Sequence, residues 1–294
     1  MVTGYVVDAR NATLRAIQGL PGAATVGPAV NIAAPVSAAS VIWNGTSGMD
    51  ALVAGTNGEL YQYREADGTL QCTPVQNSIG RIDYLARNRR NSRPALTYSS
   101  HSRLLQWQTT AGAGPAIPAT AELATIELAP DGERAIATGR CTADETGGLY
   151  EIRRNSLSRL PFNGCPISPL FFHNGRDLLV ADGLRHQVLH VQDAFETGQV
   201  RILAGLAAGI DSPIALALDD AARTLLVLTR HAGLFLIDLD RAEVTANLSL
   251  PFQPTQLRRL LLPNTFLLSD TAESPLYVAV LDGTPKLLFV PVQP

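Results

Sequence analysis

The sequence predicts an all-β fold, a β-propeller of four-stranded antiparallel blades. Three observations carry that expectation. From about residue 38 to residue 294 the chain reads as one unit repeated six times. Each unit is roughly 43 residues with four short strands, and a four-strand period of that length is the propeller signature. The apolar runs are four to six residues long, which suits strands and is too short for amphipathic helices. Asn57-Gly58, Asp67-Gly68, Asp131-Gly132, Asn174-Gly175 and Asp282-Gly283 sit between those runs. Such pairs supply the positive φ that tight hairpins need.

The elements follow in chain order. Tyr5 to Ala9 and Thr13 to Ile17 read as a hairpin resembling the outer pair of a blade. It is either an incomplete seventh blade, with Ala24 to Val26 as a third strand, or a hairpin packed on the edge of a six-bladed ring. The 294 residues divided by a ~42-residue blade favour seven. The six full units are Ala39 to Val75, Ile82 to Ala119, Leu123 to Gly164, Ile167 to Gly205, Pro213 to Leu250 and Gln256 to Val292. The clearest is the fifth, with strands at Ile214 to Leu218, Thr224 to Thr229, Leu234 to Asp238 and Val244 to Leu248. Its second strand is apolar on both faces, as expected for a strand sandwiched between neighbouring blades. No long helix is expected; Ala194 to Thr197 reads at most as a single turn. One domain is expected over residues 1–294, with residues 1–37 as hairpin and closing segment and 38–294 as the repeats.

Val180-Ala-Asp-Gly-Leu-Arg-His-Gln-Val188 resembles the NHL repeat, whose third strand is introduced by V-A-D-x-x-x-H-x-V. Pro213 to Leu218, followed by Leu226-Val-Leu and Leu236-Ile-Asp, is similar to the YVTN class of surface and periplasmic propellers. Pro130-Asp131-Gly132 fits both patterns. The resemblance implies the fold, and it is specific in two or three units. NHL and YVTN propellers include scaffolds, RNA binders and a few enzymes, so no single activity follows. A periplasmic or extracellular location is expected over a cytoplasmic one.

Composition narrows the classes. The net charge of −3 supplies no global basic field for nucleic acid. No apolar run approaches the ~18 residues of a membrane span, and the first 20 residues lack a signal-peptide pattern. A single chain is the expected unit. Cys72, Cys141 and Cys165 are an odd set; a Cys141–Cys165 bridge within one blade is conceivable, and buried free thiols are the favoured expectation.

Loops joining second to third strands share one face with the loops between blades. They carry Asn57, His101, Asp144-Glu145, Asp182 with His186, His231, and Asp270 with Glu273. Convergent imidazoles and carboxylates can hold a divalent metal, and some NHL-type lyases use zinc in this way. The candidate ligands are therefore His101, His186, His231 and Asp182. Against them, the resemblance gives the histidine at His186 the role of a strut between loop and strand. His186 and His190 fall ~13 Å apart along one strand and cannot share an ion.

On the opposite face Arg87, Arg89, Arg90 and Arg93 crowd one loop, where they either grip an anion or are simply solvated. Trp107 is expected in blade packing. One of Arg258 and Arg259 should face the channel and favour an anionic ligand. No nucleophile elbow, phosphate-binding loop or dinucleotide fingerprint occurs. The first functional expectation is thus a non-enzymatic propeller that binds a protein or small ligand on its loop face, with no resident cofactor. The alternative is a lyase- or lactonase-type enzyme with a divalent metal in the channel. A structural module cut from a longer polypeptide is a third.

Overall fold

The computed structural model describes residues 1–32, 34–43, 48–67, 69–87, 94–142, 147–269 and 275–291. Blade 1 holds β1 (Val2–Asp8), β2 (Thr13–Gln18) and β3 (Thr25–Ala29). Blade 2 is β4 (Val36–Trp43), β5 (Met49–Gly55), β6 (Leu60–Ala66) and β7 (Thr69–Val75). Blade 3 is β8 (Tyr84–Arg87), β9 (Ala95–Ser99), β10 (Leu104–Thr109) and β11 (Gly112–Pro118). Blade 4 is β12 (Leu123–Leu128), β13 (Arg134–Gly139), β14 (Leu149–Arg153) and β15 (Ser156–Arg159). Blade 5 is β16 (Pro166–Phe172), β17 (Asp177–Asp182), β18 (Gln187–Gln192) and β19 (Gln199–Gly205). Blade 6 is β20 (Pro213–Leu218), β21 (Thr224–Thr229), β22 (Gly233–Asp238) and β23 (Glu243–Ser249). Blade 7 is β24 (Arg258–Arg259), β25 (Thr265–Leu267), β26 (Leu276–Val280) and β27 (Lys286–Val290).

All pairs within a blade are antiparallel and sequential, so the chain forms a seven-bladed propeller. Blade 1 has three strands among the described residues and the others have four. The Asn-Gly and Asp-Gly turns behave as their chemistry demands, with φ of +86° at Gly58 and +72° at Gly132. Ala194 to Thr197 forms no helix; it lies in the turn that carries β18 into β19, where Glu196 donates to the Asp193 carbonyl.

The second strands explain themselves. In β17, Leu178 and Val180 pack toward blade 4 while Leu179 and Ala181 pack toward blade 6. In β21, Leu225 and Val227 face blade 5 while Leu226 and Leu228 face blade 7. A strand wedged between two sheets must be apolar on both faces. Outer strands have no such neighbours, and β23 alternates between exposed and half-buried residues. Trp107 is buried between blades 3 and 4, with its indole N–H donated to the Arg153 carbonyl at 3.1 Å.

Two expectations are corrected. The N-terminal hairpin is not an outer pair. β1 is the innermost strand of blade 1, and Gly4 and Tyr5 line the axial cavity. Apolar alternation looks the same in inner and outer strands; what separates them is the neighbour each one meets. Blade 7 closes on blade 1 through Leu261 N–H to the Thr3 carbonyl and Val26 N–H to the Pro291 carbonyl, each at 3.0 Å. The ring is sealed by Val6, Ile17 and Val26 against Leu267, Leu276 and Val278.

The cysteines are the second correction. Cys141 and Cys165 form a disulfide, with Cα atoms 5.8 Å apart. Cys141 lies in the loop after β13 and Cys165 just before β16, so the bridge staples a blade 4 loop to the chain entering blade 5. Cys72 is free and exposed on β7 rather than buried. No helix among the described residues is long and apolar enough to cross a membrane.

Candidate functional site

The loop face brings two of the expected residues together. His186 lies between β17 and β18, His231 between β21 and β22, and Asp211 in the link from blade 5 to blade 6. Asp211 stands between them, with Oδ1 2.7 Å from His186 Nδ1 and Oδ2 3.5 Å from His231 Nε2. Ser212 also donates its N–H to His186 Nδ1 at 2.9 Å. His186 thus acts as a strut that pins the interblade link.

The other two candidates lie apart from this group. Asp182 is buried, and its Oδ1 accepts the N–H groups of Cys165, Leu184 and Arg185 at 3.0–3.2 Å. Its Oδ2 accepts from Arg185 Nη1 at 3.0 Å. That carboxylate organises the hairpin that presents Leu184, Arg185 and His186. His101 lines a separate pocket with Arg81, Asp83, Ser100, Arg103 and Glu122. Asp144, Glu145, Asp270 and Glu273 fall outside the described residues.

Blade 5 also carries an apolar surface. Leu184, between β17 and β18, and Leu206, directly after β19, are each 59% exposed, and Val200 and Ile202 are each 57% exposed along β19. These are four of the eight large hydrophobic residues exposed among those described. Val200 and Ile202 lie opposite Val191 and Leu189, on the sheet face turned toward blade 4. The outer strand of blade 4, β15, has only four residues and leaves them uncovered.

At the other end of the channel, a cavity of about 550 Å³ is lined by inner strands and by the loops that follow them. Both Arg258 and Arg259 line it, where alternation had placed only one. They act as clamps. Arg258 Nη2 donates to the Tyr5 carbonyl of blade 1 at 2.7 Å, and Arg259 is ion-paired with Asp220 of blade 6. Arg87 is not a surface anion grip: its side chain is 0% exposed and ion-paired with Asp50 of blade 2. Arg89, Arg90 and Arg93 lie outside the described residues.

One grouping was not anticipated. His173 follows β16 in the first hairpin loop of blade 5, Asp177 opens β17, and His190 sits on β18. Asp177 Oδ2 is 2.7 Å from His173 Nδ1 and 2.8 Å from His190 Nε2. Among the described residues this is the one set of three such side chains whose ligating atoms all lie within 4.8 Å of one another. Burial would raise the Asp177 carboxyl, but the Asp193 N–H and the two imidazoles outweigh it and hold it at about 2. Its stabilising effect is therefore present above the ordinary value of 3.8 and is lost as pH falls toward about 2.

The sequence did hold a signal for this site. A histidine stands directly before an Asn-Gly turn, with an aspartate four residues after it. It lies on the face opposite the loops that drew attention.

No protein-family model matches the chain, and no curated protein sequence matches it. Solved structures do. A functionally unknown protein from Desulfotomaculum acetoxidans DSM 771 has a TM-score of 0.67 at 11% identity, covering 100% of each chain. A candidate 6-phosphogluconolactonase from Bacteroides fragilis NCTC 9343 has a TM-score of 0.68 at 12% identity, over 99% of this chain and 94% of that one. Streptogramin B lyase has a TM-score of 0.63 at 10% identity, over 90% of this chain and 86% of that one. At such identities the likeness establishes the propeller fold and leaves the activity to the residues of the site.

Proposed function

We propose that this protein is a non-enzymatic β-propeller that binds a protein partner through blade 5. The observation that carries the reading is the exposed apolar surface of Leu184, Val200, Ile202 and Leu206. The same blade carries polar groups held in place by internal bonds: Arg185 on Asp182, and His186, whose Nδ1 accepts the Ser212 N–H. Exposed large apolar side chains accompanied by ordered polar groups are features of protein-binding surfaces. The bonds from Asp182 to Leu184 and Arg185 tie the hairpin down, which lowers the ordering entropy that opposes association.

The test is a double substitution, Leu184→Asp with Leu206→Asp. Both side chains are solvent-facing, so the melting temperature is expected to stay within about 2 °C of wild type. Partners retained by the wild-type chain are identified by mass spectrometry and purified, and their affinity is measured directly. A loss of at least about tenfold in the double variant is expected. Unchanged affinity for every such partner, or no partner at all, overturns the reading.

The second reading is a metal-dependent enzyme of lyase or lactonase type. The meeting of His186 and His231 on Asp211 is what favours it. It requires turnover of a lactone or ester that His186→Ala abolishes.

A further inference from the structure

We propose that His173, Asp177 and His190 form a binding site for one divalent transition-metal cation of the zinc class, on the face of blade 5 opposite the loop face. The inference does not depend on the protein-binding reading. The donor set is two imidazole nitrogens and one carboxylate oxygen, a combination that suits zinc and related ions. Donors 2.0–2.2 Å from a single tetrahedral ion stand ~3.4 Å apart. Here both histidine contacts to Asp177 Oδ2 are shorter than that, at 2.7 and 2.8 Å, and all three ligating atoms fall within 4.8 Å. Modest opening of two contacts admits an ion at the point where the three groups already converge.

The division of labour on Asp177 points the same way. Its Oδ1 accepts the Asp193 N–H at 3.0 Å and stands 3.6 Å from Arg176 Nε. Arg176 in turn holds Asp193 at 3.1 Å. One oxygen is thus fixed by surrounding groups while the other is aimed at both imidazoles. Metal-ligating carboxylates are oriented by outer partners in this manner.

The rings are positioned as well. Phe172 stacks on His173 with centroids 3.9 Å apart and meets His190 edge-on at 5.5 Å. Three consecutive residues, His173, Asn174 and Gly175, have positive φ. For a histidine that backbone conformation is strained. Asp177 and His190 are buried, whereas the His173 side chain is 53% exposed. Two ligands are therefore preset in the blade, and the third closes from the solvent side.

Blade 2 shows a carboxylate in this place with different partners, among them the Gln62 amide. Asp50, at the start of the second strand of that blade, is met by the guanidinium groups of Arg64 and Arg87. Guanidinium has no lone pair to give a metal; imidazole has. In blade 5 the carboxylate at the start of the second strand is met by two imidazoles instead.

The experiment uses the untagged full chain, stripped with chelator and titrated with Zn²⁺ by calorimetry and with Co²⁺ by visible absorption. One equivalent of Zn²⁺ with a dissociation constant at or below the micromolar range is expected. Bound Co²⁺ should show the intense visible bands of a four-coordinate site. His173→Ala, exposed and outside the core, should fold normally and weaken binding at least tenfold. His190→Gln, checked for an unchanged melting temperature without metal, should do the same. His231→Ala, which alters the separate Asp211 group, should leave the affinity unchanged. No stoichiometric uptake by the folded wild type overturns the proposal. So does uptake that survives His173→Ala and His190→Gln, or that His231→Ala removes.

Discussion

Asp50→Ala is expected to lower the unfolding free energy by about 3–5 kcal/mol, the largest single effect we anticipate. The Arg87 guanidinium sits in the wall between blades 2 and 3 with no exposed surface. It donates to the Asp50 carbonyl at 3.1 Å and the Ser40 carbonyl at 3.3 Å, and its net charge is met by the Asp50 carboxylate. Removing that carboxylate takes away an anion that a fully buried guanidinium meets directly. Arg64, a second cation paired with Asp50, has a side chain 58% exposed and can return to water. Its pairing therefore contributes little. Asp50→Asn, which keeps an acceptor oxygen but not the charge, should fall between wild type and Asp50→Ala. The double change Asp50→Leu with Arg87→Met removes both charges and should recover most of the loss. Denaturant midpoints measure all three. If Asp50→Ala costs less than about 1 kcal/mol, the pair does not hold blades 2 and 3 together.

Reducing the Cys141–Cys165 bridge, or replacing both residues by serine, is expected to cost about 3–4 kcal/mol. The two residues are 24 apart in sequence. Closing a loop of that size removes roughly 3.5 kcal/mol of denatured-state entropy at 25 °C in the chain-entropy model. The folded-state consequence is local. The bridge holds a blade 4 loop against the segment whose Cys165 N–H caps Asp182. Loosening that segment should also loosen the hairpin bearing Leu184 and His186. Hydrogen exchange in reducing buffer should therefore rise first at residues 183–186 and 206–212, before the outer strands of blades 2 and 6. A melting temperature unmoved by reductant would contradict the assignment of the bridge as a stabilising element.

Much of the fold was legible because it is written in short-range chemistry. Thr224–Thr229 is a strand at the bounds read from its apolar run, and Asn57-Gly58 and Asp131-Gly132 turn where their backbone preferences require. A double-sided apolar run such as Leu225 to Leu228 can only sit between two sheets, and it does. The site was less legible. His186 and His231 were noticed as loop residues of neighbouring blades, but Asp211, the residue that joins them, lies in an interblade link with no motif around it. Arg87 looked like the start of a solvated basic loop, since nothing near it in sequence reveals a carboxylate 37 residues earlier.

The sequence by itself determined the repeat, the strand and turn positions and hence the propeller, because period, alternation and turn preference are properties of neighbouring residues. Only the tertiary structure decided that β1 faces the axis, that Cys141 meets Cys165, and that His173, Asp177 and His190 converge. Those facts depend on register between strands and on the curvature of the closed ring. Both are set by how whole blades pack; the local pattern from His173 to Asp177 marks two members of the last group but not their meeting with His190.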